Sequence, residues 1–213
     1  MFPSHDQHAI VQDNNITEII TSPKSIVIGD VRYPAKIFQL WSKAEKEAIG
    51  LYEVVTDSTN FKDSEYYVNA SEQYNFANNQ VTKSWGTATA KPLEDILYTQ
   101  EDSDNGLMSS DNSVGDVKVK GLKTIKIEDI KQQASNLLSP TDWYVIKATE
   151  VADYSVPSNV TTFRTNVRAK SNEMETSING ASDVDALQAL FTYTQQDDNT
   201  IARPLGEFPR LEN

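Results

Sequence analysis

The chain has 213 residues, 38% of them hydrophobic and 23% charged, a balance that supports a folded protein over a disordered one. Its formal net charge of −12 argues against a nucleic-acid backbone or an anionic membrane as partner, because both require basic patches. The lack of cysteine rules out disulfides, thiolate nucleophiles and Cys-based metal sites. No basic stretch leads into an apolar core as in a secretory leader, and no run approaches the roughly 18 apolar residues of a membrane span, so a soluble protein is expected.

In chain order, the first ninety residues alternate as strands do. Residues 9–12 and 16–20 flank Asp13-Asn14-Asn15, the pattern of a hairpin with an Asn-rich turn. Residues 25–28 and 31–33 flank Gly29-Asp30 as a second hairpin, and Pro34 ends that ladder because it has no N–H to donate. Ser42 and Glu45 form a capping box, Trp41 stands before the cap, and Gly50 offers a left-handed residue at the helix end. Residues 51–55, 66–68, 73–76 and 80–85 return to strand, the last two joined at Asn78-Asn79. Period-two alternation puts Tyr74 with Phe76 on one face, and Val81 with Trp85 on one face of the next strand.

Residues 92–122 are acidic, rich in Ser, Asp, Asn and Gly, and aperiodic. With Glu94, Asp95, Glu101, Asp102, Asp104, Asp111 and Asp116 but no Lys or Arg between Pro92 and Val117, an extended linker is expected. Ile127, Ile130, Ala134, Leu137 and Leu138 then recur at helical spacing, predicting an amphipathic helix over 126–138. Pro140 should break it and hold Ser139 out of helical geometry. Asp142 should cap a short second helix opening at Trp143, and Ser155 should cap a third with Pro157 in its first turn. Val160, Phe163, Val167 and Met174 make that third helix amphipathic, and Trp143 is expected to be buried between it and the helix ending at Leu138. Asp183 should cap a last helix lined by Val184, Leu187, Leu190 and Phe191.

The element LLSPTDW (137–143), followed by a helix carrying FRTNVRAK (163–170), resembles the C-terminal module of phage tail assembly chaperones and tail-fibre assembly proteins. That family carries an LL…TDW turn and a later YR…LR helix. Phe163-Arg164 stands here where Tyr-Arg is usual, and Val167-Arg168 where Leu-Arg is usual. The resemblance covers about residues 123–178. The stretch VRYPAKIFQLWSKAEKEAIGLYEV (31–54) also resembles N-terminal modules of phage tail-associated proteins. The expected class is therefore α+β: a small antiparallel β-meander domain over 1–91, an acidic linker over 92–122, a helical assembly-chaperone-like module over 123–195, and an irregular arm over 196–213.

Catalytic chemistry has few carriers. The two histidines, His5 and His8, lie three apart near the terminus, in a segment expected to be a tail and a poor metal cage, so no metal site is expected. Ser-His and Cys-His pairs are then missing from the folded body, and no phosphate loop or calcium loop is present. No enzyme activity and no cofactor are expected. The resemblance implies a phage tail-associated protein that binds a tail fibre or another tail or virion protein, located on the virion or in the host cytoplasm during assembly. The alternatives are a structural subunit of the particle (adaptor, fibre or head decoration) and a carbohydrate-binding protein using Tyr66, Tyr67 and Trp85; self-association stays open. Trp143, Phe163, Arg164 and Arg168 are the candidate partner-binding residues. Arg164, Arg168 and Lys170 read either as a solvated helix face or as a docking surface for acidic groups.

Overall fold

The computed structural model describes residues 7–212; the expectation placed on His5 and Asp6 lies outside them. The chain divides into two compact units, 1–89 and 90–213. The class is α+β, as expected.

In the first unit, β1 (His8–Gln12) and β2 (Asn15–Ile20) form the expected hairpin, with Asp13 and Asn14 both at positive φ. That conformation twists the turn to match its strands, and Asn and Asp tolerate it better than most residues do. The strands β3 (Ile26–Ile28) and β4 (Val31–Tyr33) pair separately, ahead of two short helices, α1 (Ile37–Leu40) and α2 (Lys43–Ala48). The Ser42–Glu45 capping box opens α2 with both reciprocal bonds present. Gly50 follows at φ +81°, where a Cβ would stand 2.5 Å from the Val11 carbonyl oxygen, so this position requires glycine.

The remaining strands of the unit are β5 (Leu51–Thr56), β6 (Tyr67–Val68), β7 (Glu72–Ala77) and β8 (Gln80–Trp85). The main sheet runs β2-β1-β5-β8-β7. It is not a simple meander, because β5 and β8 pair in parallel, with Val54 opposite Val81. The chain leaves β5, returns as the β7–β8 hairpin turning on Asn78-Asn79 at positive φ, and docks β8 against β5. Tyr66 and Tyr67 are buried and supply no exposed aromatic platform.

A register shift at Ile10/Val11 bends the first hairpin and rotates Ile16 onto the same face as Ile19. The edge strands β2 and β7 consequently approach each other and the sheet curls. Ala9, Val11 and Val81 are buried on the inside with Ile16, Ile19, Tyr52, Val54, Tyr74 and Phe76. Ile10, Ile20 and Leu51 face the other way and pack with Ile26 and Ile37, which come from the small ribbon and α1.

The second unit opens with the segment expected to be an extended linker. It is folded instead. After β9 (Thr89–Ala90), a ribbon of β10 (Ile96–Leu97) and β11 (Val117–Val119) encloses α3 (Gln100–Asp104). Thr99 and Asp102 form a second capping box, and Asp102 also receives the Lys118 ammonium at 2.5 Å. Acids that seemed bound to repel one another are thus used locally: Asp102 by a cap and a cation, Asp95 by the Gly121 N–H at 2.7 Å, and Glu94 by Lys123 at 2.6 Å. The backbone of Gly121 lies against Glu94, where a Cβ would sit 2.3 Å from the carbonyl carbon.

The helices follow: α4 (Leu122–Leu138), a 3-10 turn Ser139–Thr141, α5 (Asp142–Glu150), α6 (Ser158–Asn179) and α7 (Val184–Phe191). Ile130, Ala134, Val160, Phe163, Val167, Met174, Ile178 and Leu187 are buried where α4, α6 and α7 pack. Three expected breaks differ from the observed ones. Ser139 is helical despite Pro140, which lies in the first turn of the 3-10 segment, where its missing N–H has no partner to lose. Asp142 stands in the first turn of α5 rather than capping it, and its carboxylate is taken by Arg164. Pro157, not Ser155, is the N-cap residue of α6. Asp183 does cap α7, accepting from the Ala186 N–H at 2.8 Å. Beyond a short ribbon of β12 (Thr194–Gln195) and β13 (Ile201–Ala202), the expected arm docks on its own unit: Leu205 is buried, and Phe208 packs on Ala134, Phe163 and Val167.

The Asp102 arrangement has a pH signature. Hydrogen bonds from Lys118 first, then from the Thr99 backbone and hydroxyl, outweigh desolvation and pull its carboxyl down to about 2. A depressed folded value means that the bond contributes fully above the ordinary Asp range, near pH 4, and is lost as pH falls toward about 2. Amide exchange in 96–119 should therefore stay protected at pH 5 and rise between about pH 4 and 2, while Asp102→Asn removes that acid step.

Candidate functional site

The candidate site is built around α5 and its junction with α4. Four apolar or aromatic residues in a row, Trp143-Tyr144-Val145-Ile146, cannot all face one side of a helix, because successive positions turn by about 100°. The core next to α5 is already filled by α4 and α6, and none of the residues of α5 is buried. Trp143 is 50% exposed and Ile146 55%, so the expected burial of Trp143 is corrected. Its ring lies 3.8 Å from that of Tyr144, tilted by 30°, with the Lys147 ammonium 5.8 Å from its centre. Val145 and Val151 are exposed as well. The turn between the helices is held beneath this surface rather than by it.

Arg164 does that holding. Its side chain is almost fully covered, and Nη1 donates to the Leu138 carbonyl at 3.0 Å and the Thr141 hydroxyl at 2.5 Å while meeting the Asp142 carboxylate at 2.8 Å. Thr141 in turn donates to the Leu138 carbonyl at 2.7 Å. Through Nη1 alone, Arg164 thus gathers the Leu138 carbonyl, the Thr141 hydroxyl and the Asp142 carboxylate at the junction of the two helices. Phe163, beside it, is buried with Val167 under Leu137, Leu138 and Phe208. Both belong to the core that presents α5 and do not themselves form a contact surface. Arg168 is exposed and donates to the Arg164 carbonyl at 3.3 Å, while Lys170 pairs with Glu173 at 2.7 Å. The three cations are dispersed among different tasks, so they form no common basic face.

The four sequence-selected residues separate in role: Trp143 and Arg168 reach solvent, Arg164 holds the junction beside Asp142, and Phe163 belongs to the core. Ile146, Val145 and Val151 were missed, although the unbroken apolar run 143–146 was a readable sign for the first two.

A second cluster escaped the sequence reading altogether. His8 lies within β1 and is buried, not part of a tail. Its Nε2 stands 3.1 Å from the Lys46 ammonium, and its ring meets Phe38 edge-on at 5.0 Å. Lys46 is buried and donates to Glu53 at 2.5 Å. An ammonium carries no acceptor, so the contact requires His8 Nε2 to accept. Glu53 is held below the ordinary carboxylate range, chiefly by the Lys46 hydrogen bond. Trp85 of β8 is half-covered, tilted against Phe61 at 4.9 Å with Lys83 4.9 Å above it. Among the described residues no group of three or more His, Asp or Glu is arranged to hold a metal ion, and no helix is long and apolar enough to cross a membrane. Comparison with known proteins gives no match: no family model, no curated protein and no solved structure is similar to this chain.

Proposed function

We propose that the chain is a non-enzymatic phage tail-associated protein that binds a tail fibre or another tail or virion protein through α5. The observation that carries this reading is the exposure of Trp143 and Ile146 on a helix with no buried residue of its own. That helix lies within the stretch resembling tail-fibre assembly proteins. An exposed indole on a helix tied down by the largely covered Arg164 is the kind of group that dominates protein interfaces, where a few aromatic anchors carry most of the binding energy. In this role it would cover an apolar surface on the fibre until assembly, or stay on the particle as a cap.

The test is co-expression with the tail-fibre protein of the encoding phage, followed by affinity measurement. Trp143→Ala should weaken binding by tenfold or more, since hot-spot truncations cost about 2 kcal/mol or more. It should leave the far-UV spectrum unchanged. Equal binding by the variant would refute α5 as the docking element. Mass spectrometry of purified particles then separates an assembly factor, absent from them, from a structural subunit present in fixed stoichiometry.

A further inference from the structure

One face of α4 and the chain docked beside it enclose an open cavity of about 530 Å³, within the ~300–1,000 Å³ range of small-molecule sites. Gln133, Asn136 and Leu137 stand three and four positions apart, so they share that face of the helix. Tyr193 and the segment after β13 form the rest of the wall. Leu205 and Phe208 tie that segment to the core, and Pro209 and Arg210 are thereby held on the cavity.

Several polar groups on this wall have nothing to do inside the protein. Arg210 is exposed, and among the described residues its guanidinium has no ion pair or hydrogen bond; the same is true of the Gln133 amide. Asn136 accepts from Gln132 at 2.9 Å through its oxygen, which leaves its NH2 group to donate elsewhere. Glu207, the acid on the wall, is already taken. The Tyr193 hydroxyl donates to it at 2.6 Å and Arg203 meets it at 2.9 Å, so it does not cancel Arg210. Arg203 also covers the Tyr193 ring from 5.3 Å, yet 53% of that tyrosine still reaches solvent.

A free guanidinium matches a carboxylate with its fork of donors. An amide can donate to a hydroxyl or accept from one, and an exposed aromatic ring packs against an apolar C–H face. A sugar acid presents all three features in one small ring. We propose that this cavity binds an acidic monosaccharide unit of the hexuronic acid class. Its carboxylate would lie on Arg210, its hydroxyls on Gln133 and Asn136, and one ring face toward Tyr193. A protein of net charge −12 repels small anions at long range, so such binding has to come from the local cation and not from general attraction. The inference does not rest on the role given to α5.

The test uses the full chain and ligand-observed NMR titrations with glucuronate, glucose and acetate. Glucuronate and glucose differ only in carrying a carboxylate or a hydroxymethyl group, so the pair isolates the contact with Arg210. Glucuronate should bind with saturation, at least about tenfold tighter than either glucose or acetate. Arg210→Gln should bring it down to the glucose level, and Gln133→Ala should weaken it severalfold. Both positions are exposed, so the far-UV spectrum should not change. Absence of saturable glucuronate binding would overturn the inference, as would unchanged binding by the Arg210→Gln variant. Equal affinity for glucose would show that no carboxylate is read, and equal affinity for acetate would reduce the site to a bare anion spot; either result would overturn it too.

Discussion

Phe163→Ala is expected to destabilise the helical unit by about 3–5 kcal/mol, the usual range for removing a buried aromatic ring. The ring is buried among Ala134, Val167, Leu137, Leu138 and Phe208, so its loss opens a cavity touching α4, α6 and the docked chain after β13 at once. Trp143→Ala removes a larger side chain, yet half of that indole already lies in water and its close neighbours are Tyr144 and Lys147. Its effect on stability should stay within about 1 kcal/mol, as for surface positions generally. Thermal melts of the two variants side by side check this ordering. A cooperative loss in the Trp143 variant comparable to that of Phe163 would show that α5 is held by its indole and not by Arg164.

In the β unit, Glu53→Gln should destabilise by about 1–3 kcal/mol, and more than Lys46→Met does. The amide keeps the shape but removes the counter-charge from a buried ammonium that also contacts His8. Fully buried pairs lose more on such a deletion, but Glu53 is 40% exposed in its side chain, and solvent screens the difference. Lys46→Met deletes the buried charge itself and fills the same volume, leaving a glutamate that water can reach. The Glu53 carboxyl is depressed in the folded state, so its contribution is complete above the ordinary Glu range and declines as pH falls below it. Denaturant titrations at pH 7 and pH 3.5 should therefore show the gap between wild type and Glu53→Gln closing at the lower pH.

Local chemistry was legible in the sequence wherever a feature is decided within a few residues. The turns at Asp13-Asn14 and Asn78-Asn79, the Ser42–Glu45 box, the left-handed Gly50 and the Asp183 cap depend on neighbours in the chain, and each stands where the sequence places it. The helical spacing of Val160, Phe163, Val167 and Met174 likewise identified the buried face of α6, because period alone decides which side of a helix can be dry.

Tertiary structure decided whatever depends on which distant group arrives. Residues 92–122 read as a self-repelling linker until Lys118 and Lys123, at its end and just beyond it, come back to Asp102 and Glu94. Pro140 reads as a break, yet Ser139 stays helical and the Leu138 carbonyl accepts from Arg164, on another helix, as well as from Thr141. The largest aromatic in the proposed module turned out to lie half exposed at its surface, while Phe163 and Phe208 pack in the core with Ala134 and Val167. His8 seemed a tail residue until β5 brought Glu53 and Leu51 alongside β1. Hydrophobic period determines that a face will be buried, but packing against a particular neighbour determines which of several candidate side chains occupies it, and that choice is made only when the chain closes on itself.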